Sequence, residues 1–371
     1  MQNWYVNWYS IFAYALGVSF VISLILTHFV RIFAIRWKVL DHPGERKMQK
    51  QPVPLLGGVA IWVTFNLVIG IHVLALTAMH GFGVEWIQLN VLSFLGSGTE
   101  AAIKLSGLFA GGAIIFILGV FDDLVALRPE MKLIGQIAAA LVLVLSGIQV
   151  DFLNEYPLLA AAATIFWVVM MINAMNFLDN MDGLSAGISI IATLSFFACI
   201  LPSGQTFICV LLMVFAGSVA GFLYHNFNPA RIFMGDAGAM FCGYILASVA
   251  VLGTFYAHET TPSRIALAAP LLALSVPIFD TLSVVYIRWR RGESIMKGDK
   301  RHFSHRLVEL GMRPHHAVEF IYLVGAVTGL GAALLPHVDY AGTMIIIAQA
   351  LGVYCLIVLL MNSGKKRENN D

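Results

Sequence analysis

Apolar runs long enough to cross a bilayer recur from one end of this chain to the other, and no other feature restricts its fold as much. About 20 predominantly apolar residues span the hydrocarbon as a helix. Such runs lie near residues 9–33, 56–79, 103–121, 132–148, 157–177, 184–201, 205–225, 237–256, 264–287, 317–335 and 340–361. Within lipid every backbone polar group has to be satisfied inside the protein, which leaves helices as the natural form for such runs. The pattern predicts an all-α polytopic membrane protein of about eleven transmembrane helices. Charged residues are 12% of the 371, against about 25% in a soluble domain, and the mean hydropathy is +0.83. The first run has no small-residue cleavage site and is long enough to cross, so it reads as a helix and not as a removed signal peptide. The chain reads as a single transmembrane domain over 1–371. Cys199, Cys209, Cys242 and Cys355 lie inside apolar runs without metal-ligand spacing and read as small buried hydrophobes.

The distribution of Lys and Arg orients these spans. Of the 22, only Lys104 and Arg264 fall outside the links that follow the odd-numbered runs. The other 20 include Arg128, Lys132, Arg231 and the clusters within 31–50, 288–313 and 365–367. The positive-inside bias therefore predicts a periplasmic N-terminus and a cytoplasmic C-terminus. The net charge of +1 is silent about partners, and no nucleic-acid partner is expected.

Acidic residues gather on the same predicted face. Residues 173–187, NAMNFLDNMDGLSAG, form a polar junction between the apolar runs 158–172 and 188–200. Asn173, Asn176, Asp179 and Asp182 are spaced by three, so neighbours share a face if the helix continues, each about 60° from the last. The Asp182-Gly183 step favours a turn. Asp122 and Asp123 end the third run, and Asp236 lies between the seventh and eighth. Five unpaired carboxylates at one face would repel in a medium of low dielectric. A hard divalent cation relieves this; short oxygen-bearing side chains on separate loops suit Mg²⁺, which keeps several waters and shares its shell with substrate phosphates. The plain alternative is that each Asp terminates its helix at the water interface. The loops 34–55, 122–131, 178–183, 226–236 and 288–316 would together form the site.

Basic and aromatic groups stand on these same loops. Residues 41–58, DHPGERKMQKQPVPLLGG, cannot form regular helix because of their prolines. Lys47 there could reach an anionic substrate or belong to an ordinary lipid-facing basic cluster. The longest link holds DKRHFSHRL, with Arg301, His302, His305 and Arg306 in one window. The neighbouring arginines favour phosphate over metal for that histidine pair. In HNFNPARIFMGDAG, Phe233 could stack on a nucleobase or be core. Asp280, inside an apolar run, costs about 2.5–3.5 kcal/mol on insertion scales at a helix centre and needs a partner; its role is open between structure and chemistry. Gly107/Gly111, Gly183/Gly187 and Gly217/Gly221 give small-residue faces for close helix contact.

Taken together, GVFDDL (119–124), NAMNFLDNMDGLSAG, GFLYHNFNPARIFMGDAG (221–238), DKRHFSHRL and RKMQKQPVPLLGG resemble the polyprenyl-phosphate N-acetylhexosamine-1-phosphate transferases over residues 40–310, in order and spacing. The resemblance implies a bacterial inner-membrane enzyme with about eleven spans and a cytoplasmic site. It implies transfer of a sugar 1-phosphate, N-acetylglucosamine 1-phosphate above others, from a UDP-sugar to undecaprenyl phosphate, with UMP released. By resemblance Asp236 and Asn176 are the Mg²⁺ neighbours, Mn²⁺ being the alternative ion. Asp122 and Asp123 stand beside the reacting phosphates, and Asp179, Asp182 and His302 complete the catalytic candidates. Asp182 and Phe233 fall where the family holds uridine. Lys47, Asn173, Asn226, Arg301 and His305 join the substrate-binding candidates. The chain departs from the family at Gln49 and Ser304, where histidine is common. The interrupted histidine motif favours the branch that primes O-antigen, enterobacterial common antigen or teichoic acid over phospho-N-acetylmuramoyl-pentapeptide transferase. A secondary transporter is the rival of another class, but no internal repeat accompanies the acids. Membrane lipids are expected partners, and a homodimer is left open.

Overall fold

The computed structural model describes residues 8–43, 51–78, 98–153, 155–253, 268–293 and 301–368. In chain order the elements are α1 (Trp8–Arg36), β1 (Leu40–Asp41), β2 (Val53–Pro54), α2 (Gly57–Ala78), α3 (Gly98–Val125) and α4 (Pro129–Leu145). There follow α5 (Pro157–Leu178), α6 (Leu184–Ile200), α7 (Thr206–Asn226) and α8 (Gly235–Leu252). The last are α9 (Ala269–Ala273), α10 (Ser275–Arg291), α11 (Phe303–Glu309), α12 (Pro314–Leu334) and α13 (Tyr340–Glu368). Among the described residues nine helices are long and apolar enough to cross a membrane, so the chain is an all-α polytopic membrane protein. The expected fourth span is the 17-residue α4, which starts on Pro129, where a missing N–H costs nothing.

The expected ninth span is not one continuous helix. Its described part is broken at Leu274 between α9 and α10. Pro277 explains the break: it has no N–H for the Ala273 carbonyl, and its ring collides with that same group.

Helices α7 and α8 are mostly buried and form the centre, whereas little of α13 is covered. Close packing follows the small residues. A side chain at Gly217 or Gly221 of α7 would collide with the α1 backbone at Leu16 and Phe20, and Ser23 Oγ donates to Ser218 O at 2.5 Å. At the first turn of α8 three helices meet: a side chain at Gly58 of α2 or Gly119 of α3 would strike the backbone of Ala237. The expected Gly183/Gly187 face is different in kind. Gly183 takes a left-handed conformation (φ +75°) ahead of α6, and only Gly187 packs in a helix, against the Tyr322 ring.

The proline-rich segment after α1 forms a two-residue antiparallel ribbon, Leu40 opposite Pro54 and Asp41 opposite Val53. It is sewn to the α7–α8 link: Phe233 N–H donates to Pro54 O at 2.8 Å, and Gly57 N–H to Phe233 O at 2.9 Å.

Candidate active site

The site grows from the junction of α3 and α8. The first N–H groups of a helix have no partner within it and carry its positive end. In α8 no side chain of the preceding residue caps them. Asp123, at the end of α3, does so: its carboxylate accepts the N–H of Asp236 at 2.7 Å and of Ala237 at 3.3 Å. Gly235 permits this twice over. It sits at φ +71°, which a side chain disfavours, and a β-carbon there would strike the Asp123 carboxylate.

Asp122, the neighbour of that cap, is 6% exposed. Its Oδ1 accepts the Leu127 N–H at 2.8 Å, closing the turn into α4, and its Oδ2 pairs with Lys132. The Lys132 ammonium also lies 2.9 Å from Asp236 Oδ2. Two of the five acids therefore share a cation belonging to the chain, and the expectation of five unpaired carboxylates is corrected. Lys132 was not among the sequence candidates. Its signal was faint: a basic residue at the start of an apolar run, nine positions after Asp123.

The α5–α6 junction supplies the rest. Because α5 ends at Leu178, the four-residue stripe expected on one continued helix does not form. Asn173 pairs with Gln136 of α4, Nδ2 donating to Oε1 at 2.7 Å. Asn176 lies beside the Asp236 carboxylate. Asp179 caps the end of α5. Asp182 leaves the helix direction altogether and holds the α7–α8 link, its Oδ2 accepting Asn228 Nδ2 at 2.9 Å and Ala230 N–H at 3.0 Å. Asn226 spends its amide the same way: Oδ1 accepts Gly183 N–H at 3.0 Å, and Nδ2 donates to Ile232 O at 2.9 Å. As placed, it positions two loops. Tyr322 adds a bond from its hydroxyl to Gly183 O at 2.6 Å.

Asp179 reports the electrostatics. Burial pushes its carboxyl up to about 8, and the negative charges of Asp236, Asp123 and Asp182 push it the same way. The four acids thus share one region. Among the described residues no three Asp, Glu, His or Cys side chains converge as a metal cage. Asp236, Asn176 and Asp179 are nevertheless hard oxygen donors, and among the described residues no cation or hydrogen-bond donor favours the charge of Asp179. This donor set fits a cation that takes few protein ligands and keeps its waters, and it does not fit an all-protein cage.

The histidine window is tied down from two sides. His302, 8% exposed, precedes α11, and its Nδ1 lies 2.8 Å from Oδ2 of fully buried Asp280. Asp280 Oδ1 accepts the Phe303 N–H at 2.5 Å. The intramembrane acid thereby finds its partner and fixes the imidazole. Ser304, at the departure from the family pattern, donates to Asn180 Oδ1 at 2.5 Å, joining α11 to the α5–α6 junction. Phe177 of that junction lies beside the His302 ring, 6.1 Å between centroids. Arg301 pairs with Glu293 at 2.5 Å. His305 is partly exposed on α11, and Phe233 is partly buried on the link sewn to β2. Lys47 lies outside the described residues.

Comparison with known proteins gives a family-model match, described as glycosyl transferase family 4, over residues 105–254. The chain is 31% identical over 330 residues to the probable undecaprenyl-phosphate N-acetylglucosaminyl 1-phosphate transferase of Bacillus subtilis (strain 168), covering 86% of this chain and 84% of that one. It is 32% identical over 367 residues to the decaprenyl-phosphate N-acetylglucosaminephosphotransferase of Mycolicibacterium smegmatis, covering 92% and 86%. It is 30% identical over 334 residues to the phospho-N-acetylmuramoyl-pentapeptide-transferase of Limosilactobacillus fermentum, covering 84% and 95%.

Proposed function

The chain belongs to glycosyl transferase family 4, and on that premise we propose that it transfers N-acetylglucosamine 1-phosphate from UDP-N-acetylglucosamine to undecaprenyl phosphate. UMP is released, and the lipid-linked sugar starts a cell-envelope polysaccharide. The observation that carries this reading at the residue level is the carboxylate cluster around the first turn of α8, held by Asp123 and shared with Lys132. The protein lies in the bacterial inner membrane with this cluster facing the cytoplasm, as the Lys and Arg bias supports.

In the reaction an oxygen of the lipid phosphate attacks the sugar-bearing phosphorus. The bond from that phosphorus to the oxygen it shares with the uridine phosphate breaks, and UMP leaves with the electron pair. Phosphoryl transfer asks chiefly for alignment and charge neutralisation. The attacking oxygen is already ionised near neutral pH, so no strong base is needed, and Asp122, spent on Lys132 and the Leu127 N–H, acts by position. Asp236 and Asn176 would hold Mg²⁺, with Mn²⁺ as the alternative ion, supplying positive charge against the diphosphate oxygens. Asp182 keeps the 228–230 link, and with it Phe233, beside the cluster where the uridine would stack. His302, its Nδ1 occupied by Asp280, keeps Nε2 for a phosphate oxygen or the sugar. Arg301, His305 and Lys47 would add charge for the phosphates.

The test uses purified protein in detergent with undecaprenyl phosphate and a panel of UDP-sugars, following UMP and the lipid product. UDP-N-acetylglucosamine should be turned over fastest. Turnover with UDP-N-acetylmuramoyl-pentapeptide alone would move the chain to the peptidoglycan branch. Transfer from none of the sugars would overturn the reading.

A further inference from the structure

A second polar locus, which the transfer chemistry does not use, lies where α1 and α7 reach the same end of the bundle as the carboxylates. The close contact at Gly217 and Gly221 runs on to His225, whose Nε2 lies 3.0 Å from the Leu24 carbonyl. That contact makes Nε2 the donor and leaves Nδ1 facing away. Nδ1 has no hydrogen-bond partner, though His225 is 8% exposed. The His28 ring is 6.5 Å away between centroids. The basic groups acting on His225 are His28, Arg231 and Arg31. Nδ1 of the neutral ring is an acceptor, whereas Arg31 Nε is a buried donor without a partner. Among the described residues no acidic side chain pairs with Arg31 or Arg231. Four basic side chains from α1, α7 and the following link thus meet without an anion. A buried donor left unpaired is costly, and so are the two guanidinium charges of Arg31 and Arg231 held near each other.

Depth and flanks say what kind of anion belongs there. A helix rises 1.5 Å per residue, so the 29 residues of α1 run about 43 Å against about 30 Å of hydrocarbon. If α1 enters the hydrocarbon near Trp8, His28 and Arg31 emerge at headgroup level. Ile25, Phe29, Ile32 and Tyr224 around them are exposed and apolar or aromatic. The Phe29 ring touches His28, and the Tyr224 ring touches His225. A free phosphate has no use for such flanks, whereas a lipid does. We propose that His28, Arg31 and Arg231 bind the phosphate of an anionic membrane lipid whose chains lie along Ile25, Phe29 and Tyr224. Basic pockets between transmembrane helices suit such headgroups.

The full-length protein in neutral detergent tests this by thermal unfolding. Phosphatidylglycerol should raise Tm by about 3 °C or more, as a ligand of the native state does, while phosphatidylcholine and soluble glycerol 1-phosphate should not. Undecaprenyl phosphate forms a fourth arm: a shift it alone produced would mark the locus as a subsite for the acceptor lipid and overturn the general lipid site. The double variant His28→Gln, Arg31→Gln should lose most of the phosphatidylglycerol shift and keep its Tm in phosphatidylcholine. If that variant fails to fold, Arg231→Gln, on the exposed link, replaces it with the same expectation. Equal shifts from both phospholipids, or a phosphatidylglycerol shift that survives the variants, would overturn the proposal. A shift from glycerol 1-phosphate as large as from phosphatidylglycerol would make it a site for soluble anions.

Discussion

Replacing Lys132 by Met tests whether this one cation holds the carboxylate cluster together. The stem is kept, and only the charge between Asp122 and Asp236 Oδ2 is lost. Asp122, with a side chain 3% exposed, would be left with the Leu127 N–H as its single donor and with Asp236 close by. Breaking a fully buried pair costs about 3–5 kcal/mol. Here the Lys132 and Asp236 side chains are 27% and 33% exposed, so water screens part of the repulsion. A loss of about 2–3 kcal/mol follows once that screening is discounted. The assay is thermal unfolding in detergent with EDTA and then across a Mg²⁺ titration. Tm should fall by several degrees without metal, and Mg²⁺ should stabilise the variant more than the parent, because a divalent cation replaces the missing charge. Lys132→Arg should lie between the two. A metal-free Tm equal to that of the parent, with the same response to Mg²⁺, would refute the reasoning.

His302→Ala should lower turnover by about 10²-fold or more, in the range of a positioned proton-transfer or binding group, while the protein still inserts and folds; Asp280→Asn should reproduce much of that loss through the ring it orients, and wild-type turnover in both would reduce the window to a surface feature. Asp179 sets a pH dependence: unfolded, it ionises near 3.8, and folded, it keeps its proton up to about 8. The native state then binds the extra proton, so metal-free stability should fall as pH rises across that window and be lost through about pH 8. Tm between pH 5.5 and 9 in EDTA measures this, and an unchanged slope in Asp179→Asn would place the dependence elsewhere.

What the sequence made legible follows from how directly each feature is written in it. Run length is a one-dimensional property, so among the described residues nine long helices and the short α4 stand where the apolar runs stand. The break at Leu274 was also written, in Pro277, but a hydropathy window averages over a single proline. Pairings were not legible. Lys132 and Asp236 are 104 residues apart, and no local pattern announces that one bridges to the other. His302 and Asp280 are 22 apart. There the sequence stated only half of the pair, an acid too expensive to leave alone in hydrocarbon. The stripe at Asn173, Asn176, Asp179 and Asp182 failed for a local reason. Spacing by three means a shared face only while the helix lasts, and the helix ends at Leu178, with Gly183 left-handed soon after.

The acids that look alike in sequence are divided by their donors. Asp123 takes two main-chain N–H groups at the head of α8, and its charge is matched by the helix end. Asp182 takes a main-chain N–H and an amide from the α7–α8 link. Asp122 takes the Leu127 N–H and half of a lysine. Each of these three holds one loop against another, and replacing any of them moves backbone. Asp236 has the other half of the lysine and one amide. Among the described residues Asp179 has no donor acting in favour of its charge, and three acids act against it. A cation arriving at this face therefore gains most at Asp179 and Asp236, the two carboxylates least committed to the fold. Their substitution should cost chemistry before it costs structure, and substitution of Asp123 or Asp182 should do the reverse. The order of the two losses, read on the same protein samples by turnover and by Tm, distinguishes the acids that serve the reaction from those that build its walls.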